Sequence, residues 1–457
     1  MSILESTYDK APVFLQNVMV SISGYLRNTQ RYGRDYYNHR KFLADFDTWS
    51  FDKKRAYQNA ELVRFVRYTA DRSEFYKRFY KDIDVRSIRC IDDLKILPIL
   101  SKEMLRENIN EIVIIPFNGS VQGHTGGTTG KSITVYNTVE DSMKRMAMLD
   151  HFKSRVGFQN RQMKRATFNG KHIVPPNQKK EVFWRYNSSC RQMIYSSFHL
   201  TEYNMKYYIE SLNRYKPQSI DGFFMSICDI ASYIKRHKLN VDFTPLAIFP
   251  TSETLTTSGR ALIEEVFQCK VFDQYASSEG APFVTECSEQ VLHMEQSTGV
   301  IEHCCDGSNE VLVTSFTTHG TPLIRYQIGD LMAFDDCQTT LCKCGMETIS
   351  IDKIEGRGLD YLLTTEGAKI NSGNISNLFK NIPNAVIRAQ VIQNEYDLIT
   401  ILLEIDGAKY KPEYDIILKD EFKHKFGQSM QIIVTHVKEI PRERSGKFML
   451  VKNNIGQ

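Results

Sequence analysis

The chain lacks most of the features that assign a role quickly. It has no apolar run long enough to cross a bilayer, and no basic N-terminal segment leading into an uninterrupted apolar stretch. The nearest approach, residues 13–26, is broken by Gln16, Asn17, Ser21, Ser23 and Gly24. It reads as an amphipathic core or lid helix, with light membrane contact as the alternative. Neither sign of charge dominates: 58 basic and 54 acidic residues leave +4, which makes no case for nucleic acid. No repeat period or low-complexity tract stands out. Without a secretory leader, the ten cysteines are expected as thiols or metal ligands in a reducing cytosol. A cytoplasmic protein with no stable membrane insertion is the expectation.

What is present is a globular composition, 42% hydrophobic and 25% charged, in 457 residues. That length exceeds what a single core supports, so two or three domains are expected. Residues 1–80 carry helical periodicity and many aromatics. Between about 90 and 355, β-rich runs alternate with helical patterns. Residues 220–224 read as a strand and 227–238 as a helix; 246–250 as a strand, 258–267 as a helix and 270–272 as a strand. Such alternation argues for α/β layering. A Gly-rich break at Glu355-Gly-Arg-Gly-Leu-Asp360 precedes a short α+β segment, giving expected domains of 1–357 and 358–457.

The most informative stretch is His124-Thr-Gly-Gly-Thr-Thr-Gly-Lys-Ser132. Glycines let the backbone approach an anion, while threonine hydroxyls, N–H groups and an ammonium supply donors for a polyphosphate. It is not a Walker A loop: the second glycine comes one residue early, and the β-branched run Ile133, Thr134, Val135 follows where a helix should open. A Gly/Thr-rich turn inside a hairpin fits better.

Four later segments line up with this loop. Gln274-Tyr-Ala-Ser-Ser-Glu-Gly280 joins an aromatic that can stack on a purine to hydroxyls and a carboxylate that can hold Mg²⁺. Arg325-Tyr-Gln-Ile-Gly-Asp330 sets an acid where it can accept ribose hydroxyls. Gly356-Arg-Gly-Leu-Asp360 offers a guanidinium and a polar hinge, and Pro441-Arg-Glu-Arg-Ser-Gly-Lys447 presents a lysine on a Gly-containing turn.

In this order the segments resemble the adenylate-forming superfamily of acyl-CoA synthetases, adenylation domains and luciferases. The resemblance is closest to its phenylacetate–CoA ligase-like group and the CapK-like branch of capsular polysaccharide biosynthesis. Ala11-Pro-Val-Phe-Leu-Gln-Asn17, Leu97-Pro-Ile-Leu-Ser-Lys102, Phe168-Asn-Gly-Lys-His-Ile-Val174 and Ser196-Ser-Phe-His199 are also similar to that branch. The fold it implies is α/β: a large N-terminal domain of layered α/β subdomains with a small β-barrel-like part, plus a small mobile C-terminal α+β domain.

The resemblance also implies roles. Thr125, Gly126, Gly127, Thr128, Thr129, Gly130 and Lys131 would wrap the ATP phosphates. Tyr275 would stack on adenine beside Ser277 and Ser278, and Glu279 would hold Mg²⁺. Asp330 would bind the ribose and Arg357 would lie near ribose or phosphate. Asp360 would be the hinge. Lys447 would bridge the carboxylate and the α-phosphate. Relatives often have glycine at the position of Ala276, and Ser-Gly-Glu where this chain has Thr251-Ser-Glu253. The implied acyl pocket takes in Phe198, His199, Phe223, Glu253 and Ala276. Its phenylalanines suit an aromatic or medium acyl group, and His199 is either a substrate contact or a satisfied interior histidine. No acid stands out as a partner for an α-amino group. The implied reaction activates a carboxylic acid as acyl-AMP and passes the acyl group to coenzyme A or an amine.

Two features remain. Cys287, His293, Cys342 and Cys344 form a two-plus-two set of soft ligands that suits structural Zn²⁺, against buried free cysteines. Cys304, Cys305 and Cys337 compete as ligands, and similar positions in the phenylacetate–CoA ligase-like group favour the metal. Residues 151–191 hold ten basic residues against the single acid Glu181, a solvated face or a landing surface for an anionic second substrate. A ligase therefore stands against a degenerate nucleotide-binding scaffold of an envelope-polysaccharide pathway. The presence of Lys447 and Glu279 favours the ligase.

Overall fold

The computed structural model describes residues 3–124, 133–175, 178, 180–304, 308–357, 361–365, 369–372, 375, 377–379, 382, 385–443 and 448–455. It is a mixed α/β protein that divides into two compact units. One comprises Met1–Gly24, Asn160–Val271 and Glu355–Gln457; the other comprises Tyr25–Gln159 and Phe272–Ile354.

The first unit contains a five-stranded sheet ordered Trp184–Asn187, Gln192–Ser196, Arg165–Asn169, Ser219–Phe223, Ala247–Thr251. All neighbours are parallel except the first pair. Every residue of Ser219–Phe223 is buried, as expected for a parallel strand covered on both faces. Gly222 sits at φ +130°, where an added Cβ would lie 1.8 Å from the Phe168 carbonyl oxygen, so only glycine lets the two strands pair here. Helices Phe224–His237 and Thr257–Phe267 follow their strands much as the alternation predicts. The predicted strand at 270–272 is reduced to one bridge, Ile248 to Val271.

The C-terminal part of this unit builds its own core. A four-stranded sheet, ordered Gln431–His436, Leu398–Ile405, Val386–Glu395, Val451–Asn453, packs on the helix Glu413–Phe426 through Leu418, Phe422 and Phe426.

The helix Val13–Arg31 runs against expectation. Gln16 and Gly24 are buried, and Gln16 takes a hydrogen bond from the guanidinium of Arg185, whereas Phe14, Val18 and Ile22 are exposed. Its polar face points inward.

The second unit is built on a seven-stranded sheet ordered Gly299–His303, Glu310–Ser315, Tyr326–Leu341, Glu347–Arg357, Leu292–Met294, Val284–Glu286, Gln274–Tyr275. The helix Phe51–Arg72 buries Leu62, Phe65, Val66 and Thr69, a helical stripe. Ser50 caps it by accepting from the Lys53 N–H, a contact of about 1 kcal/mol. Thr138 caps the helix Val139–Arg155 in the same way through Asp141 N.

The basic segment 151–191 is a face only in part. Arg155 is bound between Asp47 and Glu295, and Arg165 pairs with Asp221. Arg185 is fully buried, Lys153 nearly so, and Lys164 donates to the Tyr215 carbonyl. Neither the solvated face nor the landing surface holds for Arg155, Arg165 and Arg185, whose partners come from distant parts of the chain, whereas Lys171, Lys180 and Arg191 are exposed. Among the described residues, no helix is long and apolar enough to cross a membrane. Cys90, Cys190, Cys228, Cys269, Cys287, Cys304, Cys342 and Cys344 are free thiols.

Candidate active site

The residue 125–131 loop, Asp360, Lys447 and the side chain of Arg357 lie outside the described residues. What surrounds them is informative. The strands Val121–His124 and Thr134–Asn137 on either side of the loop pair antiparallel, with His124 opposite Thr134. Gly123 in this hairpin lies against the Ser278 backbone: a Cβ there would stand 2.9 Å from the Ser278 carbonyl oxygen. The hairpin stem and the 274–280 segment are thus in contact.

The two residues expected at adenine and ribose are directly joined. Tyr275 donates its hydroxyl to Asp330 Oδ2 at 2.7 Å, and both are buried. Asp330 follows Gly329, which turns the backbone at φ +82°. Ser277 is used locally, its hydroxyl accepting from the Gly280 and Ala281 N–H groups, while Ser278 and Ala276 are exposed.

Glu279 is almost completely buried, and its Oε1 has no hydrogen-bond partner among the described residues. The nearest charge is Lys102 Nζ at 3.8 Å, beyond hydrogen-bond reach. A buried carboxylate oxygen left without a partner is costly. An acceptor-only oxygen of that kind suits a hard cation, so the residues present fit Mg²⁺.

Sequence reasoning missed two cations here. Lys102, capped into its helix by Ser101, balances Glu279. Arg145 donates through Nη1 to the carbonyls of Gly280 and Ala281 and to Thr317 Oγ1, clamping the segment that carries Tyr275 and Glu279. Burial lowers its pKa to about 10, still well above neutrality. The Leu97-to-Lys102 motif was visible in the sequence, but its partner was not.

In the first unit, Phe198 stacks on His172 with ring centroids 4.1 Å apart. His199 pairs through Nδ1 with Ser196 Oγ at 2.8 Å and stacks on Phe183. A cavity of about 220 Å³ lies between Phe198 with Leu200 and Arg388 with residues 439–442. It brings one acyl-pocket residue beside the start of the lysine-bearing segment. Phe223, buried, opens the helix Phe224–His237.

Both oxygens of Glu253 hold main chain: Oε2 accepts from Met225 N at 2.8 Å and Oε1 from Phe448 N at 3.2 Å. The preceding Ser252 holds φ +68°, a left-handed conformation costing a non-glycine residue roughly 1–2 kcal/mol. That is the physical reason glycine suits this position in relatives.

The four soft ligands do converge. Ligand atoms of Cys287, His293, Cys342 and Cys344 all lie within 4.8 Å of one another. Cys287 and Cys342 sulfurs are 3.9 Å apart, and Cys344 Sγ is 3.6 Å from His293 Nε2. Ligands on tetrahedral zinc, at about 2.3 Å for sulfur and 2.0–2.1 Å for nitrogen, stand roughly 3.5–3.8 Å apart. Two hairpin turns build the set. Cys287 N bonds the Val291 carbonyl and Cys342 N bonds the Met346 carbonyl. His293 Nδ1 pairs with Thr348 Oγ1 at 2.7 Å, which turns Nε2 toward the sulfurs. Burial lowers the His293 pKa to about 4, keeping the imidazole neutral as a ligand must be. The donor set fits Zn²⁺.

Against known proteins, the chain is 37% identical over 455 residues to Protein CapK of Staphylococcus aureus, spanning 99% of this chain and 100% of that one. The chain belongs to the CapK family. Residues 362–454 match the model of the CapK C-terminal domain. The CapK-family chain is also 22% identical over 443 residues to the phenylacetate-coenzyme A ligase of Thermus thermophilus, covering 91% of this chain and 93% of that one. Its fold matches the crystal structure of 2-hydroxyisobutyryl-CoA ligase in the postadenylation state, with a TM-score of 0.71, 15% identity, and coverage of 90% and 91%. The chain thus shares with that solved ligase a mixed α/β fold with a large N-terminal and a smaller C-terminal domain.

Proposed function

We propose that the protein is an ATP-dependent adenylate-forming ligase. It activates a carboxylic acid, aryl or other acyl, as acyl-AMP with release of pyrophosphate. It then transfers the acyl group to coenzyme A or an amine acceptor, in polysaccharide or secondary-metabolite biosynthesis. The observation that carries this reading is the Tyr275–Asp330 hydrogen bond beside buried, cation-ready Glu279, all against the stem of the Gly/Thr-rich hairpin. The relative named as a CoA ligase and the solved ligase of the same fold support it.

In this reading the substrate carboxylate attacks the α-phosphorus of ATP and the bond to pyrophosphate breaks. Asp330 accepts from the ribose hydroxyls while Tyr275 packs against the purine and fixes Asp330. The donors of residues 125–131 meet the β- and γ-phosphates, with Arg357 near ribose or phosphate. Glu279 would hold Mg²⁺, which when bound neutralises phosphate charge. Lys447 supports charge on the carboxylate and α-phosphate, so the catalytic contribution is positioning and electrostatics. Residues 358–457 act as a small C-terminal domain hinged at Asp360, which carries the lysine in for the first half-reaction and out for the second. The phenylalanines 198 and 223 and His199 border the acyl group.

The Cys287, His293, Cys342 and Cys344 set holds a structural Zn²⁺ that pins two hairpin turns and takes no part in the chemistry. A cytoplasmic location is supported by the free cysteines. Carboxylate-dependent ATP–pyrophosphate exchange tests the activity, and protein that binds nucleotide but exchanges with no acid would favour a scaffold.

A further inference from the structure

The lysine-bearing segment is anchored on both sides by carboxylates of one layer. Before it, Arg442 donates through Nη2 to Asp229 Oδ2 at 2.7 Å and through Nη1 to Ser226 Oγ at 3.2 Å. After it, Phe448 N donates to Glu253 Oε1. That nitrogen belongs to the residue that directly follows Lys447 in the chain. Ser226 and Asp229 are three residues apart on the helix Phe224–His237 and share a face. The other oxygen of Glu253 caps the start of the same helix through Met225 N. All of these residues lie within one compact unit.

Asp229 is buried between two guanidiniums, since Arg388 Nη2 also reaches Oδ2 at 2.9 Å. Arg388 continues to Glu404, which accepts from the N–H of Ile440, just before Pro441. A buried carboxylate shared by two arginines is specific in direction, and each arginine can rehydrate if it leaves. Such a contact suits a surface that must be made and released, where an apolar seam would not.

We propose that Asp229 and Glu253 are positioning residues that dock the two flanks of the lysine-bearing turn for acyl-adenylate formation, a role resting on the ligase reading. Neither touches the reacting atoms; each acts through the placement of Lys447.

The test uses the full chain carrying Asp229→Asn, Glu253→Ala or Glu253→Gln. Hydrogen–deuterium exchange of the peptide covering residues 440–452 reads the docking itself, independent of activity. Faster exchange there in Asp229→Asn and Glu253→Ala supports docking, and unchanged protection in both overturns it. The half-reactions are then separated. Glu253→Ala is expected to lower carboxylate-dependent ATP–pyrophosphate exchange by about 10²-fold, the scale of a misplaced catalytic group. Transfer from supplied acyl-adenylate to the acceptor stays near the unmodified rate. Glu253→Gln, which keeps one oxygen acceptor for the two N–H groups of Met225 and Phe448, restores part of the exchange. Equal loss in both half-reactions, the mark of a merely structural role, would overturn the proposal. Absence of exchange in the unmodified protein would instead overturn the ligase reading, and deuterium exchange would still decide the docking.

Discussion

Tyr275 and Asp330, 55 residues apart in the chain, share a buried 2.7 Å hydrogen bond from phenol to carboxylate. The bond ties the strand that would face the base to the acid that would face the ribose. Tyr275→Phe removes this donor to the carboxylate. A hydrogen bond to a charged group contributes about 1.5–3 kcal/mol, so a rise of roughly 10-fold or more in the KM for ATP is expected. The kcat should change less, because the phenol makes no contact with reacting atoms. Steady-state kinetics in ATP check it.

Glu279 offers a buried oxygen with no hydrogen-bond partner among the described residues. Glu279→Gln should fold normally and lower adenylate formation by about 10²–10³, with the remaining activity needing more Mg²⁺. Titration of the exchange reaction with Mg²⁺ measures this. An unchanged Mg²⁺ requirement would remove the carboxylate from the metal site.

Purified, chelator-free protein should carry about one zinc per chain, and Cys342→Ser or His293→Ala should release it and lower the melting temperature. Elemental analysis alongside thermal unfolding checks both. Loss of the metal should leave the nucleotide-site hydrogen bonds in place, since the cluster joins hairpin turns.

Acid should destabilise the fold in two stages. Burial, with Lys144 nearby, lowers the pKa of His39 to about 4, and its Nε2 has no partner among the described residues. The folded pKa is below the unfolded value near 6.5, so this contribution is intact above about pH 6.5 and is lost as pH falls toward 4. The slope is at most about 1.4 kcal/mol per pH unit. Asp47 is buried, which pushes its carboxyl up, but hydrogen bonds from His151 and Arg155 outweigh that and hold it well below the usual range. Its contribution is lost only below about pH 4. Melting temperature against pH should show both stages, and His39→Leu should flatten the first.

The sequence made some of this legible because the signals are local or chemically rare. Strand–helix alternation at 220–267 follows from periodicity, and four soft ligands are few enough to be paired by type. Tyr275 and Asp330 stood in recognisable segments, although their contact did not. Partners far along the chain were invisible. Arg155 meets Asp47 across 108 residues and Arg185 meets Gln16 across 169, which takes these two arginines out of an apparent basic face. Periodicity likewise assumes that an apolar face points inward, and Val13–Arg31 does the reverse. Glu253 was read as pocket lining, and only the coordinates reveal its grip on Phe448.

The central claim is tested most directly by ATP–pyrophosphate exchange with the unmodified protein over a panel of carboxylic acids. At least one acid should drive Mg²⁺-dependent exchange well above the acid-free background. Lys447→Ala should lower that exchange by about 10²–10³ while leaving transfer from supplied acyl-adenylate largely intact. Exchange with no acid, from protein that still binds ATP, would contradict the assignment of an adenylate-forming ligase.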